Sequence, residues 1–297
     1  MKDWRVIGID IGGTTINLGR FDALGNCETL LKLSTPQPAE PKTVLDVITR
    51  ATMELTQASN CVAVGIGMPG PTDVTKRIAR VGINLPLWEN IPLAEYLEER
   101  IGLPTTLEND ANCAAVGEAW LGAGQEISNF ILLTLGTGVG GGIFVDGKLF
   151  TGSYGAAGEL GLITLDPNGH PCNSGNRGSL EQHCCIRAIK RLTGKGPAEL
   201  SKLAKNGDRV ALEFWQQYGR TLGAGLASLV YVLTPEAIIL GGGISAAAPL
   251  FFPSLQSEIE QRVHSSSRVG LKLLPAQLGN DAGAIGAAKL AWALVNG

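Results

Sequence analysis

The chain of 297 residues is poor in charge, in cysteine and in long apolar runs, and each shortage excludes a class of protein. Charged residues make up 17%, the formal net charge is −3, and no block of lysine and arginine occurs. Neither a nucleic-acid surface nor contact with an anionic membrane is therefore suggested. Apolar runs such as 129–135 and 237–240 are strand-length and stop at glycines, far short of the ~20 residues a membrane span needs. Six irregularly spaced cysteines are too few for a disulfide scaffold in a chain this long and fit a reducing cytoplasm. Met1-Lys2-Asp3-Trp4 leads straight into a strand, without the pattern of a signal peptide. Glycine, at 40 residues, is what abounds, and it describes a turn-rich, tightly packed chain long enough for two ordinary domains.

Residues 6–11 read as a buried strand that breaks at Gly12-Gly13-Thr14-Thr15 before a second strand over 16–21. Such a tip offers backbone N–H groups and hydroxyls to an anion, with Asp10 placed to hold a hydrated cation beside it; an ordinary glycine turn is the other reading. Residues 42–58 carry apolar side chains at helical spacing. A strand over 61–68 then ends in Pro69-Gly70-Pro71, and Asn84-Leu85-Pro86 precedes a short helix over 93–101. Gly70 and Asn84 thus fall in loops of the kind that grip ligands in α/β sheets, although Asn84 is equally a turn former.

The run 104–107 favours strand and 111–120 favours helix, so Glu108-Asn109-Asp110 marks a strand-to-helix handover. A carboxylate at Asp110, beside the first turn's N–H groups, stays ionised and can accept a proton from a hydroxyl. The alternative is that Asp110 or Asn112 is only an N-cap. The second half begins like the first: a strand over 131–135, a glycine tip from Gly136 to Gly142 that includes Thr137, Gly138 and Gly140, a return strand over 143–145, and an Asp146-Gly147 turn. Two copies of one unit suggest two related domains facing each other, their tips able to hold a polyphosphate. The loops 155–161 and 175–181 present Glu159 and Glu181, carboxylates that suit either sugar hydroxyls or plain solvent. A long helix over 208–232 follows. A strand over 237–240 then runs into Gly241-Gly242-Gly243, where a nucleotide base has room, and a helix over 282–295 is expected to pack back on the first domain. Leu30 to Leu33 and Phe251-Phe252 read as either core or subunit interface.

The order and spacing of Asp10-Ile11-Gly12-Gly13-Thr14, Gly67-Met68-Pro69-Gly70, Asn84-Leu85-Pro86, Glu108-Asn109-Asp110, the tip 136–142, Gly158-Glu159-Leu160-Gly161, Leu240-Gly241-Gly242-Gly243 and Gly279-Asn280-Asp281-Ala282-Gly283 resemble the ROK sugar kinases of the actin-like ATPase superfamily. The resemblance covers nearly the whole chain. It implies an α/β protein of two ribonuclease-H-like domains with an interdomain cleft: a small domain over 1–118, completed by a C-terminal helix over about 283–297, and a large domain over 119–282. ATP would lie along Asp10, Gly12, Gly13, Thr14, Thr15, Gly136, Thr137, Gly138, Gly140, Gly242 and Gly243, with Mg²⁺ near Asp10 through water. The sugar would meet Gly70, Asn84, Asn109, Glu159 and Glu181, and Asp110 would be the general base on its 6-hydroxyl. The implied activity is that of a cytoplasmic, homodimeric glucokinase, with N-acetylmannosamine, N-acetylglucosamine, fructose or allose as alternative sugars and polyphosphate as a lesser donor. A sugar-sensing regulator without catalysis is the non-enzyme alternative. The repressors of the same family carry an N-terminal DNA-binding domain for which no segment precedes the first strand.

One departure stands out. The family's zinc-binding histidine falls at Leu162, and its cysteine run reads Cys172-Asn173-Ser174-Gly175-Asn176-Arg177-Gly178-Ser179. Leucine and hydroxyls cannot replace imidazole and thiolate, so no structural zinc is expected, and a substitute set from His170, Cys172, His183 and Cys184 has adjacent ligands that converge poorly on one ion. Leu162 also removes a polar contact to the sugar that the resemblance assigns to the histidine.

Overall fold

The computed structural model describes residues 3–57, 59–83 and 85–296, and the chain divides into two compact units. One comprises Met1–Glu126, Leu149–Gly158 and Leu278–Gly297; the other Ile127–Lys148 and Glu159–Gln277. In chain order the first unit holds β1 (Arg5–Ile11), β2 (Thr15–Phe21), β3 (Cys27–Ser34), α1 (Pro41–Gln57), β4 (Cys61–Met68), β5 (Ala79–Val81), β6 (Glu89–Ile91), α2 (Leu93–Ile101), β7 (Thr105–Asn109) and α3 (Asp110–Leu121). There follow β8 (Phe130–Leu135), β9 (Val139–Val145), β10 (Lys148–Leu149), α4 (Leu180–Cys184), α5 (Ile186–Thr193), α6 (Pro197–Lys205), α7 (Arg209–Leu233), β11 (Ala237–Gly241), α8 (Ala248–Arg262) and β12 (Lys272–Pro275). The last helix, α9 (Ala282–Asn296), returns to the first unit.

Each unit is built on a five-stranded sheet of the same order: β3-β2-β1-β4-β7 in the first and β10-β9-β8-β11-β12 in the second. In each, a hairpin partner runs antiparallel to the first strand while the later strands run parallel to it. The duplicated strand–tip–strand pattern of the sequence is thus a duplicated sheet.

Alternation along β1 and β4 sorts the first unit into layers. Ile7, Ile9, Ile11, Val64, Ile66 and Met68 face a core completed by Val44, Leu45 and Ile48 of α1 and Leu93 and Leu97 of α2. The intervening Val6 and Ala63 face Ala284, Ala288 and Ala291 of α9. Gly8 and Gly65 lie on that second face, and a Cβ on either would stand 2.0 Å from Ala284 O or 1.8 Å from Ala287 O. Helix backbone therefore rests directly on sheet backbone, which only glycine permits. The same economy joins α9 to α3, where a Cβ on Gly286 would come within 1.7 Å of Cys113 O.

The second unit centres on α7, whose Trp215, Tyr218, Leu222 and Leu226 pack with Phe251, Leu255 and Ile259 of α8. Trp215, Tyr218 and Phe251 form an aromatic cluster with centroids 5.1–5.9 Å apart. Asp208 caps α7 through Ala211 N at 2.8 Å. Asp146 and Gly147, at φ 51° and 73°, close the β9–β10 hairpin with the left-handed pair that such a turn requires.

Leu31 and Leu33 pack on the core while Leu30 points out of β3, and Phe251 is wholly buried. One expectation needs correction: β9 begins at Val139, so the second tip is the short stretch 136–138, and Gly140 pairs with Thr134 in the ladder. The antiparallel hydrogen-bond pattern extends through the glycines because β8 supplies a complete partner strand.

Candidate active site

In the first unit the handover from β7 to α3 is held by Asn109. Its Oδ1 accepts from Ala111 N at 2.9 Å and Asn112 N at 3.1 Å, and its Nδ2 donates to Gly70 O at 3.3 Å. Asn109 is the N-cap, so the reading that made Asp110 or Asn112 the cap is corrected. The physical reason is backbone geometry: Asn109 has the extended conformation a cap needs, whereas Asp110 is already helical. Asp110 opens α3 half-buried and accepts a bond from Ala111 N at 2.8 Å.

Asp10, at the end of β1, lies against the first turn of α9, where a Cβ on Gly283 would stand 2.7 Å from its Cγ. Its carboxyl is pushed up to about 7, first by burial and then by the charge of Asp110, with a bond from Asn17 working the other way. A buried carboxyl whose ionisation the neighbouring Asp110 charge opposes fits a cation placed beside it, because the cation offsets that penalty.

The first glycine tip follows directly. Gly12 N closes on Thr15 O at 2.8 Å, while Thr35 Oγ1 and Gln37 Nε2 donate to the carbonyls of Gly12 and Gly13 and Thr35 N to that of Thr14. Those donors occupy the tip's negative ends. Gly70 has φ 109° beside Val81 O, a conformation and closeness reserved for glycine. Asn84 lies outside the described residues.

In the second unit, Gly136 N closes the tip on Gly138 O at 2.9 Å, and the start of α5 docks on it through Ile186 N to Gly136 O at 2.8 Å. Glu181 Oε2 accepts from Val139 N at 3.1 Å, and Arg187 stands 3.7 Å from Glu181 Oε1. The Glu159 carboxyl is raised, by burial foremost and then by the charge of Glu181. Gly242, at φ 82°, turns the chain out of β11, and a Cβ on Gly136 or Gly243 would meet nothing within 4 Å. Beside Gly243 and Ile244 opens a cleft of about 450 Å³ whose other wall is Ser201, Lys202, Lys205 and Asn206. That wall was not singled out from sequence, because α6 reads as an ordinary amphipathic helix and only the fold brings it to the glycine turn.

The donor set for a structural zinc does not fit. Among the described residues no group of three or more His, Cys, Asp or Glu side chains is placed to hold a metal ion. Leu162 ends a short 3-10 turn begun at Leu160, and its carbonyl accepts from Asn176 Nδ2 at 2.9 Å. Asn176 also bonds Thr164 Oγ1, and Cys172 Sγ accepts from Ser179 Oγ at 3.5 Å. Hydrogen bonds thus hold the loop at the positions where the family pattern has thiolates.

Lys76, also not anticipated, reaches the β7–α3 corner from a separate turn and stands 2.9 Å from Glu108 Oε2.

The comparisons agree with this arrangement. The ROK family's sequence model matches residues 6–293. A glucokinase of Thermotoga maritima is 33% identical over 98% of this chain and 98% of its own length. A ROK family glucokinase from Streptomyces griseus, solved in complex with glucose and AMPPNP, matches at TM-score 0.84 and 35% identity over 97% of this chain and 99% of that one. A ROK hexokinase from Thermus thermophilus matches at TM-score 0.87 and 34% identity over 98% and 99%. With a family model that matches residues 6–293 and near full-length likeness to ROK sugar kinases, this chain has the actin-like ATPase fold and belongs to the ROK family.

Proposed function

We propose that this protein is an ATP-dependent hexose 6-kinase whose preferred sugar is glucose. The observation that carries the reading is the corner at Asn109 and Asp110: a carboxylate fixed at the head of α3 by a cap that does not use it, beside a second carboxyl that fits a cation. Support for the sugar and the donor comes from the glucokinase relatives and from the Streptomyces griseus complex.

Phosphoryl transfer needs positioning and charge balance more than covalent help from the protein. Asp110 accepts the proton of the sugar's 6-hydroxyl as that oxygen bonds to the γ-phosphorus and the bond to the β–γ bridging oxygen breaks, releasing ADP. Asn109, Asn84 and the Gly70 loop orient the hydroxyl side of the sugar. Glu159 and Glu181 accept further sugar hydroxyls, and such donors lower the cost of the ionised Glu159 that burial and Glu181 impose. The N–H groups at Gly13 and Thr14, with the hydroxyls of Thr14 and Thr15, face the phosphates from the tip that the Gly12 N–H closes; Thr137 and Gly138 do the same from their own tip, which Gly136 closes and Gly140 anchors in the ladder. The cleft beside Gly243 and Ile244, which the turn at Gly242 opens onto, takes the nucleoside end. Magnesium, held near Asp10 through water, would supply charge neutralisation on the phosphates.

The same reading makes the protein a cytoplasmic homodimer without structural zinc, supported by family membership, by six unpaired cysteines and by the donor set around Leu162. Among the described residues no helix is long and apolar enough to cross a membrane. The test is ADP release with Mg-ATP against glucose, mannose, fructose, allose, N-acetylglucosamine and N-acetylmannosamine, on protein assayed for bound zinc. Preference for glucose with no stoichiometric zinc is the expected result. Preference for another sugar would point to Leu162 as the specificity change, and no turnover on any sugar would overturn the kinase reading.

A further inference from the structure

We propose that Lys76 is a positioning residue for the general base, acting through Glu108; the proposal rests on the kinase reading only for what Asp110 does. Glu108 is 1% exposed at the end of β7. Its Oε1 accepts from Asn109 N at 2.9 Å and from Asn112 Nδ2 at 3.0 Å, so one oxygen holds the residue before Asp110 and a buried amide in the turn after it. Its Oε2 receives no well-formed hydrogen bond, and what faces it is the Lys76 ammonium at 2.9 Å. A buried carboxylate stripped of its counter-charge is left uncompensated, and displacement of the side chain toward water, which relieves that cost, loosens the groups it holds.

Lys76 is itself built into place. Asp73, 6% exposed, accepts from Arg77 N at 2.8 Å, Ile78 N at 2.7 Å and Thr75 N at 3.1 Å, and also bonds the Thr75 hydroxyl. Those bonds wind the turn so tightly that Lys76 adopts φ 58°, a left-handed conformation unfavourable for a long side chain. In that conformation Lys76 O accepts from Leu107 N at 2.9 Å. The turn is thereby stitched to β7 one residue before Glu108, which aims the ammonium at the carboxylate. A lysine serving only solubility would need none of this. The titratable groups gathered at the corner are Asp10 from β1, Glu108 from β7, Asp110 and Cys113 from α3, and Lys76 from the turn; α9 contributes Gly283, which carries no charge. Lys76 is the cation of that set.

The test uses the full chain with Lys76→Met, Lys76→Arg and the double variant Lys76→Met/Glu108→Gln, whose neutral amide can keep both bonds at Oε1 without a counter-charge. Kinetics are normalised to active-site concentration. Misplacement of a reacting group by about 1 Å costs up to ~100-fold, so Lys76→Met is expected to lower kcat roughly 10- to 100-fold with KM for ATP nearly unchanged. Lys76→Arg and the double variant should regain most of that loss. In parallel, the Asn112 side-chain amide protons, followed by NMR exchange, should lose protection in Lys76→Met and regain it in the double variant. An unchanged kcat in Lys76→Met, or a double variant as slow as Lys76→Met, would overturn the proposal, the latter by showing that Lys76 acts on substrate directly. Unchanged Asn112 protection would overturn it even if the parent phosphorylates none of the sugars, so its failure is separable from that of the kinase reading.

Discussion

Replacing Asp110 by asparagine removes the proton acceptor and leaves the cap of α3 in place. The cap of α3 rests on the two bonds to Asn109 Oδ1, and the amide oxygen of an asparagine at 110 can keep the 2.8 Å bond from Ala111 N. Thermal stability at neutral pH should therefore not fall, and KM for the sugar should stay within a few-fold. A positioned general base contributes ~10²–10⁴ in rate, so kcat should drop about 10³-fold, or ~4 kcal/mol of barrier. The same substitution removes the charge that helps to raise Asp10. A carboxyl whose folded pKa is raised binds its proton more tightly in the native state than in the unfolded chain, so stability is lost as pH rises from about 4 through about 7. The whole displacement of Asp10, from 3.8 to about 7, corresponds to ~4 kcal/mol at most. Burial is the larger cause, so relief from Asp110 is the smaller share of that displacement and should amount to about 1 kcal/mol. Urea unfolding of parent and variant from pH 4 to 8 should show no difference at the acid end and a gain of that order for Asp110→Asn at the alkaline end. A kcat within tenfold of the parent would refute the general-base assignment, and a pH-independent stability difference would refute the coupling to Asp10.

Three further predictions concern the frame and the cleft. Gly286→Ala places a methyl group 1.7 Å from Cys113 O, forcing α3 and α9 apart, and should cost about 3 kcal/mol, read as a fall in Tm of several degrees; Gly243→Ala, where a Cβ meets nothing within 4 Å, should leave Tm unchanged and weaken ATP binding by titration calorimetry. Burial would raise the Asp73 carboxyl, but its hydrogen bonds outweigh that and hold it at about 2, so it stabilises the native state above about pH 4 and that contribution disappears as pH falls toward 2. Asp73→Asn should cost roughly 1–2 kcal/mol at pH 7 and converge with the parent at the acid end of an unfolding series, and a constant offset across pH would contradict the assignment.

Much of the candidate site was legible because its chemistry is local. The tip Gly12-Gly13-Thr14-Thr15, the handover at Glu108-Asn109-Asp110 and the turn Asp146-Gly147 are each specified within a few residues by backbone freedom, capping and periodicity. Less was legible where a residue's role depends on what the fold sets opposite it. Gly140 reads as part of a loop until β8 is known to supply its ladder partner. Asp110 and Asn112 read as the cap candidates by composition, and only the backbone angles give the cap to Asn109 instead.

Sequence by itself therefore determined the element types, the duplication of a strand–tip–strand unit, the family and the carboxylate at the head of α3, since these follow from short-range pattern. Tertiary structure alone decided that Lys76 meets Glu108, that α6 walls the cleft beside Gly243, and that the last helix lies backbone to backbone on Gly8 and Gly65. Those are contacts between segments far apart in the chain, and the energy that selects them, burial of apolar surface and pairing of buried charge, exists only once the layers have closed.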